Sequence, residues 1–409
     1  MTRSLLGSLA ALAGVSLTML ATGCLPQARV SRVYDGKVHQ ERYIHPEAYA
    51  AFLRGVLAEE AGDGKGALSA FTQAADDDDD DPEIWTRIGE VRCKLDPKDA
   101  AADKAFAKAL EVDPTYANAL AGKARCSLVR NKPAEAAASA ALATAQDPKS
   151  VAIESLYLRA DAERGDPKTR ERAIALTVAN AQHPAAWDAL IAWGRSRRDA
   201  ELVTRGYEGL VRAAPMRSRE AEAIAILLLG DDKLALARRV AIAISDAPRD
   251  LGVVGPLNPT VARLAVDEAL ARGDKAKALA RATHGHVSLA ELAGRALVLE
   301  QKAIASAIAS SVTDADPGSS GARMVKAALA GAGKAQADEI AARATDRPPE
   351  ICALVFAERL ASASNPEVAR EWLARIERTP MPAHDPVGVA LSKDLVARGV
   401  LPRPETPPG

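Results

Sequence analysis

The sequence predicts an all-α protein, built as an array of stacked helical hairpins that follows a secretion signal. Apolar residues make up 48% of the 409 residues, yet only 3% are aromatic, and alanine supplies much of the apolar content. Alanine is the strongest helix former, and its small side chain lets helices pack closely. Prolines also recur at a nearly constant interval, and the apolar residues between them follow the helical period.

Charge and cysteine content narrow the possible functions. The chain has 53 Lys and Arg against 54 Asp and Glu, which gives a formal net charge of -1. A nucleic-acid-binding protein would carry a clear basic excess, so we expect no nucleic-acid partner. The 4 cysteines are widely spaced and form no CxxC pair, which argues against a structural zinc site.

The first element, residues 1–23, has the layout of a secretory signal peptide. Arg3 precedes an apolar run from Leu5 to Ala21, and small residues follow it up to Cys24. The run is marginal in length for a membrane span, and no stop signal follows it. Leu20-Ala21-Thr22-Gly23-Cys24 resembles the lipobox of bacterial lipoproteins, with Ala21 standing where that motif usually has Leu.

The lipobox resemblance implies cleavage before Cys24 and acylation of Cys24, for example with palmitate. Several acyl chains anchor a protein stably, whereas one chain binds only marginally. Leu25, in place of the Asp that retains such proteins at the inner membrane, implies the periplasmic face of the outer membrane. An ordinary signal peptide with an incidental Cys and an uncleaved membrane anchor remain the alternatives.

Residues 24–45 show no helical period, and we expect them to form a tether between membrane and array. Asp35-Gly36 is flanked by Val33-Tyr34 and Lys37-Val38, so a short β-hairpin with a two-residue turn is the alternative.

An internal repeat begins after the tether. Prolines recur about every 34 residues, at positions 82, 114, 148, 184, 215, 248, 317, 348 and 380. Because proline cannot continue a helix, each interval corresponds to one structural unit. In the interval after Pro82, one helical face carries Trp85, Ile88, Gly89 and Arg92, and a second helix follows.

This interval resembles the tetratricopeptide repeat (TPR), with Gly89 in the first helix and Ala102, Phe106, Ala109 and Pro114 after it. The preceding unit matches through Gly55, Ala67, Phe71 and Ala74, and the following one through Ala124, Ala136, Ala140, Ala143 and Pro148. The resemblance implies a right-handed superhelix over residues 46–248, in which Gly55, Gly89 and Ala124 let paired helices approach. It is strongest over 46–148.

The second half of the chain has a weaker pattern. Residues 249–259 are rich in Gly and Pro, and we expect a hinge or linker there. Helical pairs resume over 260–400 as degenerate repeats and end with a helix near 384–399. Residues 401–409 have the composition of a disordered tail.

No catalytic, metal or cofactor motif is found, and we expect neither enzyme activity nor a small-molecule substrate. Gly331-Ala332-Gly333-Lys334 lacks the first glycine of a phosphate loop and the Ser or Thr that would bind Mg²⁺. The acidic run 76–81 is expected to be a solvated loop in which Asp81 caps the next helix, and weak cation binding is the alternative.

Cys93 and Cys126 are expected to be buried free thiols, with a disulfide as the alternative. Their positions are 33 residues apart, so they occupy nearly equivalent places in adjacent first helices. Such places often lie too far apart for a disulfide. Cys352 is expected in the core.

The TPR resemblance also implies a binding surface. In that family the concave face is lined by the first helix of each hairpin, and these positions correspond to Tyr49, Phe52, Glu59, Glu83, Thr86, Glu90, Asn118 and Arg125. Together with the lipobox resemblance, the TPR resemblance implies a membrane-anchored, non-catalytic scaffold that binds other envelope proteins or peptides, and assembly of an envelope complex is one process that such a scaffold can aid. The alternatives are an accessory or tether for a cell-wall enzyme or glycan, and a purely structural spacer.

Overall fold

The computed structural model describes residues 29–34, 37–42, 45–247, 257–343, 346–363, 366–375 and 385–402. The predicted all-α solenoid is confirmed for this part of the chain, where helices pack as successive hairpins and strands occur only near the start. The expected signal peptide, the lipidation site Cys24 and residues 403–409 of the expected tail lie outside the described residues.

Two short antiparallel strands precede the helices. Strand β1 (Arg29–Tyr34) pairs with β2 (Lys37–Arg42), so that Tyr34 lies opposite Lys37 and Arg29 lies opposite Arg42. The β-hairpin that the sequence allowed within 24–45 is therefore formed. The role of this segment as a tether stays a prediction.

Residue contacts divide the chain into two units, Met1–Pro148 and Lys149–Gly409. The helices of the first unit form three hairpins, in which α1 packs on α2, α3 on α4 and α5 on α6. Their bounds are α1 Pro46–Glu60, α2 Gly64–Asp77, α3 Pro82–Leu95, α4 Ala100–Val112, α5 Ala117–Val129 and α6 Pro133–Gln146. Helix α3 also packs on α2 and α5, which joins the hairpins into one stack.

Aspartates set the starts of several helices. Asp63, Asp81 and Asp99 precede α2, α3 and α4, and each side chain accepts a hydrogen bond from a backbone N–H of the first turn. This bond satisfies one of the donors that a helix start leaves unpaired. The turn between α1 and α2 uses Gly62 with a φ of 77°, a left-handed conformation that favours glycine.

Small residues allow the paired helices to approach, as predicted. A Cβ added at Gly55 of α1 would lie 2.5 Å from the Phe71 ring of α2, and one at Gly89 of α3 would lie 2.7 Å from Phe106 of α4. Both phenylalanines are buried. Each hairpin of this kind is therefore closed by an aromatic ring seated on a glycine.

Replacement of Gly89 by Leu should destabilise the first unit by about 1–3 kcal/mol, because the new side chain would overlap the Phe106 ring and force the hairpin open. Thermal unfolding followed by circular dichroism measures the effect. Gly230→Leu is the matched control, since a Cβ at Gly230 meets nothing within 4 Å. Equal midpoints for the two variants would contradict the packing described here.

The second unit continues the hairpin pattern. Its helices are α7 Val151–Asp161, α8 Pro167–Ala179, α9 Pro184–Ser196, α10 Ala200–Ala213, α11 Ser218–Gly230, α12 Leu234–Asp246, α13 Pro259–Ala271, α14 Lys275–His284, α15 Leu289–Val298, α16 Lys302–Ala315, α17 Ser320–Gly331, α18 Lys334–Arg343, α19 Glu350–Ala363, α20 Pro366–Arg375 and α21 Pro386–Ala397. Two 3₁₀ segments, Ala162–Arg164 and Pro215–Arg217, follow α7 and α10.

The expected hinge at 249–259 falls inside the second unit. Helices α12 and α13 flank this segment and pack directly on each other. Their buried residues belong to one hydrophobic cluster that extends from Ala162 to Val400. Residues 248–256 lie outside the described residues, so hinge motion stays a prediction, and the division between units falls after Pro148.

A buried ion cluster fixes the last helix of the second unit. The Arg295 guanidinium on α15 is fully buried and donates to Asp267 on α13 at 2.6 Å through two bonds. It also donates to Asp385 at 2.8 and 3.0 Å. Asp385 in turn caps α21 by accepting from the Gly388 N–H. One arginine therefore joins three helices that are distant in sequence.

Among the helices of the described residues, none combines the length and the apolar character needed to cross a membrane.

Candidate protein-interaction site

Polar side chains from three successive hairpins meet along the first helices of the first unit. We call this set the first-helix network, and its members are Glu59 on α1, Glu83, Arg87, Glu90 and Lys94 on α3, and Tyr116, Asn118 and Arg125 at the start of and along α5. The stacking of α3 between α1–α2 and α5 brings residues that are about one repeat apart into hydrogen-bond distance.

Arg87 lies at the centre of the network. Its Nε donates to Glu83 at 3.1 Å, and its Nη1 lies 3.3 Å from Glu59 and 3.8 Å from Glu90. Lys94 contributes a second cation, with Nζ 2.7 Å from Glu59. The carboxylates of two hairpins are therefore held by cations of α3.

The same carboxylates of α3 also bind α5. Arg125 donates to Glu90 through Nε at 3.0 Å and through a second guanidinium nitrogen. The Tyr116 hydroxyl donates to Glu83 at 2.7 Å, and Asn118 donates to Tyr116 at 3.4 Å. Burial and the bond to Glu83 both raise the pKa of Tyr116, so its phenol stays protonated and acts as a donor.

Five of the eight residues that the sequence singled out for partner binding belong to this network, namely Glu59, Glu83, Glu90, Asn118 and Arg125. Sequence reasoning missed Arg87, Lys94 and Tyr116, which connect them. A signal for Arg87 was present, because Glu83 and Glu90 lie four residues before it and three after it, on one helical face.

The other three predicted residues lie outside the network. Tyr49 on α1 is 53% exposed, whereas Phe52 is half-buried against Phe71, with ring centroids 5.4 Å apart. Thr86 is only 1% exposed, and its hydroxyl donates to the Pro82 carbonyl at 2.7 Å. Thr86 therefore offers no surface to a partner, because its side chain faces the helix packing.

Cys93 and Cys126 form a disulfide between α3 and α5, and the expectation of buried free thiols was wrong for this pair. Their Cα atoms are 5.8 Å apart, well within the range for a disulfide. Gly122 explains the close approach of the two helices, since a Cβ there would lie 2.7 Å from Phe106 and 3.2 Å from Glu90. Cys352 is buried in the core, as predicted.

The network offers a surface of mixed charge. Three carboxylates face three cations, and the Arg125 and Lys94 side chains remain 50% and 66% exposed. The Glu59 and Glu90 carboxylates are mostly buried, so the Arg125 and Lys94 cations are the groups of the network that a partner can reach most easily. Over the described ranges, no three His, Cys, Asp or Glu side chains are grouped to hold a metal ion.

Comparison with known proteins yields similarity only among solved structures, since no protein-family model and no curated protein matches the chain. PilF of Pseudomonas aeruginosa is 16% identical, with a TM-score of 0.33, and the match covers 69% of this chain and 97% of PilF. The TPR domain of P58(IPK) is 16% identical, with a TM-score of 0.25 and coverage of 86% and 99%. Yeast Tom70 is 14% identical, with a TM-score of 0.25 and coverage of 86% and 89%. The assignment as an α-solenoid rests on the helix pairing itself.

Proposed function

We propose that the protein is a lipid-anchored, non-catalytic scaffold of the cell envelope, and that its first-helix network binds another protein or peptide. The observation that carries the proposal is the network itself, in which three successive hairpins contribute charged side chains to one set. Stacked helical hairpins present extended surfaces of this kind, to which an elongated partner segment can bind. The anchor is acylated Cys24, on the periplasmic face of the outer membrane.

The disulfide supports a location outside the cytoplasm. Cys93–Cys126 joins two helices of the first unit, and such bonds persist in oxidising compartments such as the bacterial periplasm. The apolar run that ends in a lipobox-like sequence at Cys24 supports secretion by an independent signal.

Binding would proceed by exchange of ion pairs. A partner carboxylate can bind the exposed cations of Arg125 and Lys94, and a partner cation can bind Glu83, which is the most exposed carboxylate of the network. Such exchange sets the register and the association rate more than it adds affinity, and added salt should weaken it.

Affinity capture from detergent-solubilised envelopes tests whether the protein acts as a scaffold that binds another protein. The wild-type chain should recover a stoichiometric protein partner, and Arg125→Glu should reduce its recovery because it turns a cation of the network into an anion. Lys104→Glu, an exposed lysine on α4, is the matched control and should leave recovery unchanged. Retention of glycan without protein would favour the cell-wall accessory, and no partner after crosslinking would favour the spacer.

Replacement of Cys24 by Ser should release the protein from membranes, because the acyl chains that provide stable anchoring are attached to this residue alone. Fractionation of cells into membrane and soluble pools measures the effect. A Cys24→Ser variant that still sediments with membranes would contradict the anchor.

A further inference from the structure

Helix α1 carries an exposed apolar stripe. Tyr49, Leu53 and Leu57 follow one another at intervals of four residues, and their exposed fractions are 53%, 43% and 64%. Ala50, on the same side of the helix, is also exposed. Residues spaced by four share one face of a helix, so these side chains form a continuous surface.

Comparison with α3 shows that part of this stripe, Ala50 and Leu57, lies on a face that is covered in the next hairpin. Gly55 and Gly89 occupy the same place in the two hairpins, each beneath a phenylalanine ring. In that register Leu57 corresponds to Val91 and Ala50 to Ile84, which are only 1% and 3% exposed in the core that α3 shares with α1 and α2. The described residues before α1, namely 29–34, 37–42 and 45, contain no helix, so no hairpin in that part of the chain covers the equivalent face of α1.

The path of the chain keeps α1 close to Cys24. Arg29 lies opposite Arg42, so the chain leaves the β-hairpin beside the point where it enters. The hairpin therefore adds only the spacing of two strands to the distance that the chain can span between Cys24 and α1. Only five residue steps join Cys24 to Arg29, and four join Arg42 to Pro46. At full extension this connection spans about 40 Å.

We propose that the apolar stripe of α1 lies on the lipid bilayer that holds the acylated Cys24. The inference rests on the proposed lipid anchor. A short tether raises the effective concentration of the bilayer at α1 to roughly the millimolar range, so a stripe too small to bind membranes alone can dock. Tyr49 suits the headgroup boundary, where aromatic rings with a polar end are enriched. Arg54 flanks the stripe and can meet anionic headgroups.

Fluorescence quenching on vesicles tests the docking. The acylated chain carries the substitution Leu57→Cys, and an environment-sensitive dye is attached to the new cysteine. The chain is bound to phosphatidylethanolamine–phosphatidylglycerol vesicles that contain a nitroxide lipid as the quencher. The native cysteines do not compete for the dye, because Cys24 is acylated, Cys93 and Cys126 are joined and Cys352 is buried. Leu142→Cys on α6, with a native exposure of 57%, is the matched control.

We expect the nitroxide lipid to quench the dye at residue 57 several-fold more than the dye at residue 142. Addition of Leu53→Asp should remove the difference, whereas Val129→Asp, at an exposed apolar site of α5, should keep it. Flotation of the vesicles shows separately whether the chain is attached to them by its lipid anchor.

Three results would overturn the proposal. Equal quenching at both sites, on a chain that floats with the vesicles, contradicts docking and leaves the anchor intact. A chain that does not float contradicts the anchor and the docking together. A dye at residue 57 that is shielded from aqueous iodide but not quenched by the nitroxide lipid would show that a protein, such as a second copy, covers the stripe.

Discussion

Replacement of Arg295 by Met is expected to lower the free energy of unfolding of the second unit by about 3–5 kcal/mol. The substitution keeps the buried volume but leaves Asp267 and Asp385, both almost fully buried, without their shared cation. An uncompensated buried charge is far more costly than the loss of an exposed pair. The last helix, α21, would also lose its ionic connection to α13 and α15.

Urea unfolding followed by circular dichroism measures this effect, and Arg272→Met is the matched control. Arg272 pairs with Glu268 at the exposed end of α13, so its loss should cost less than about 1 kcal/mol. If Arg295→Met unfolded at the same urea concentration as the control, the buried cluster would not stabilise the second unit.

Acid should remove the stabilisation that Asp385 contributes to this cluster. Asp267 does not share this behaviour, because burial outweighs the Arg295 cation there and holds the pKa of Asp267 above its usual value. Burial opposes ionisation of Asp385, but the two bonds from Arg295 outweigh it and hold the pKa of this carboxyl below its usual range. Because the pKa of Asp385 is lower in the folded than in the unfolded protein, the ionised carboxylate stabilises the fold fully at pH values above its unfolded-state pKa, near 4. This stabilisation is lost as the pH falls through the folded-state pKa of Asp385. Arg295→Met should abolish that part of the acid dependence.

Loss of the Cys93–Cys126 disulfide is expected to cost the first unit about 3–4 kcal/mol. The bond closes a loop of 33 residues, and a crosslink of that span restricts the unfolded chain by roughly this amount. The double variant Cys93→Ser, Cys126→Ser should unfold at lower temperature than wild type. Dithiothreitol should not change the melting temperature of this double variant. Reduction of the wild-type protein should lower its melting temperature to a similar value.

Thiol titration in denaturant gives an independent check of the disulfide. The acylated chain without reductant should show one free thiol, that of Cys352. Titration of three thiols, or an unchanged melting temperature on reduction, would contradict the crosslink between α3 and α5.

Local sequence features predicted the helices and their pairing well. Helix starts depend on prolines and capping aspartates such as Asp81, and hairpin closure depends on glycine–phenylalanine pairs such as Gly89 and Phe106. All of these lie within one repeat. The interpretation of residues 24–45 was less definite, because Asp35-Gly36 favours a turn but two strands alone carry few apolar residues.

Contacts between repeats were harder to predict. The disulfide depends on how closely α3 and α5 approach, which Gly122 determines and which the spacing of the cysteines does not reveal. Arg295 and Asp385 are 90 residues apart, so no local pattern pairs them. For the site, the resemblance indicated positions along the first helices. It did not indicate Arg87 and Tyr116, because their contacts with Glu83 and other network residues depend on how the hairpins pack.

Site-specific photocrosslinking in intact cells tests most directly whether the first-helix network binds a partner protein. A photoreactive residue at Asn118, an exposed member of the first-helix network, should yield one discrete protein adduct. The adduct should disappear when Arg125→Glu is added, and the same probe at Lys104 on α4 should yield none. Absence of an adduct at Asn118, or identical adducts at both positions, would contradict partner binding by the network.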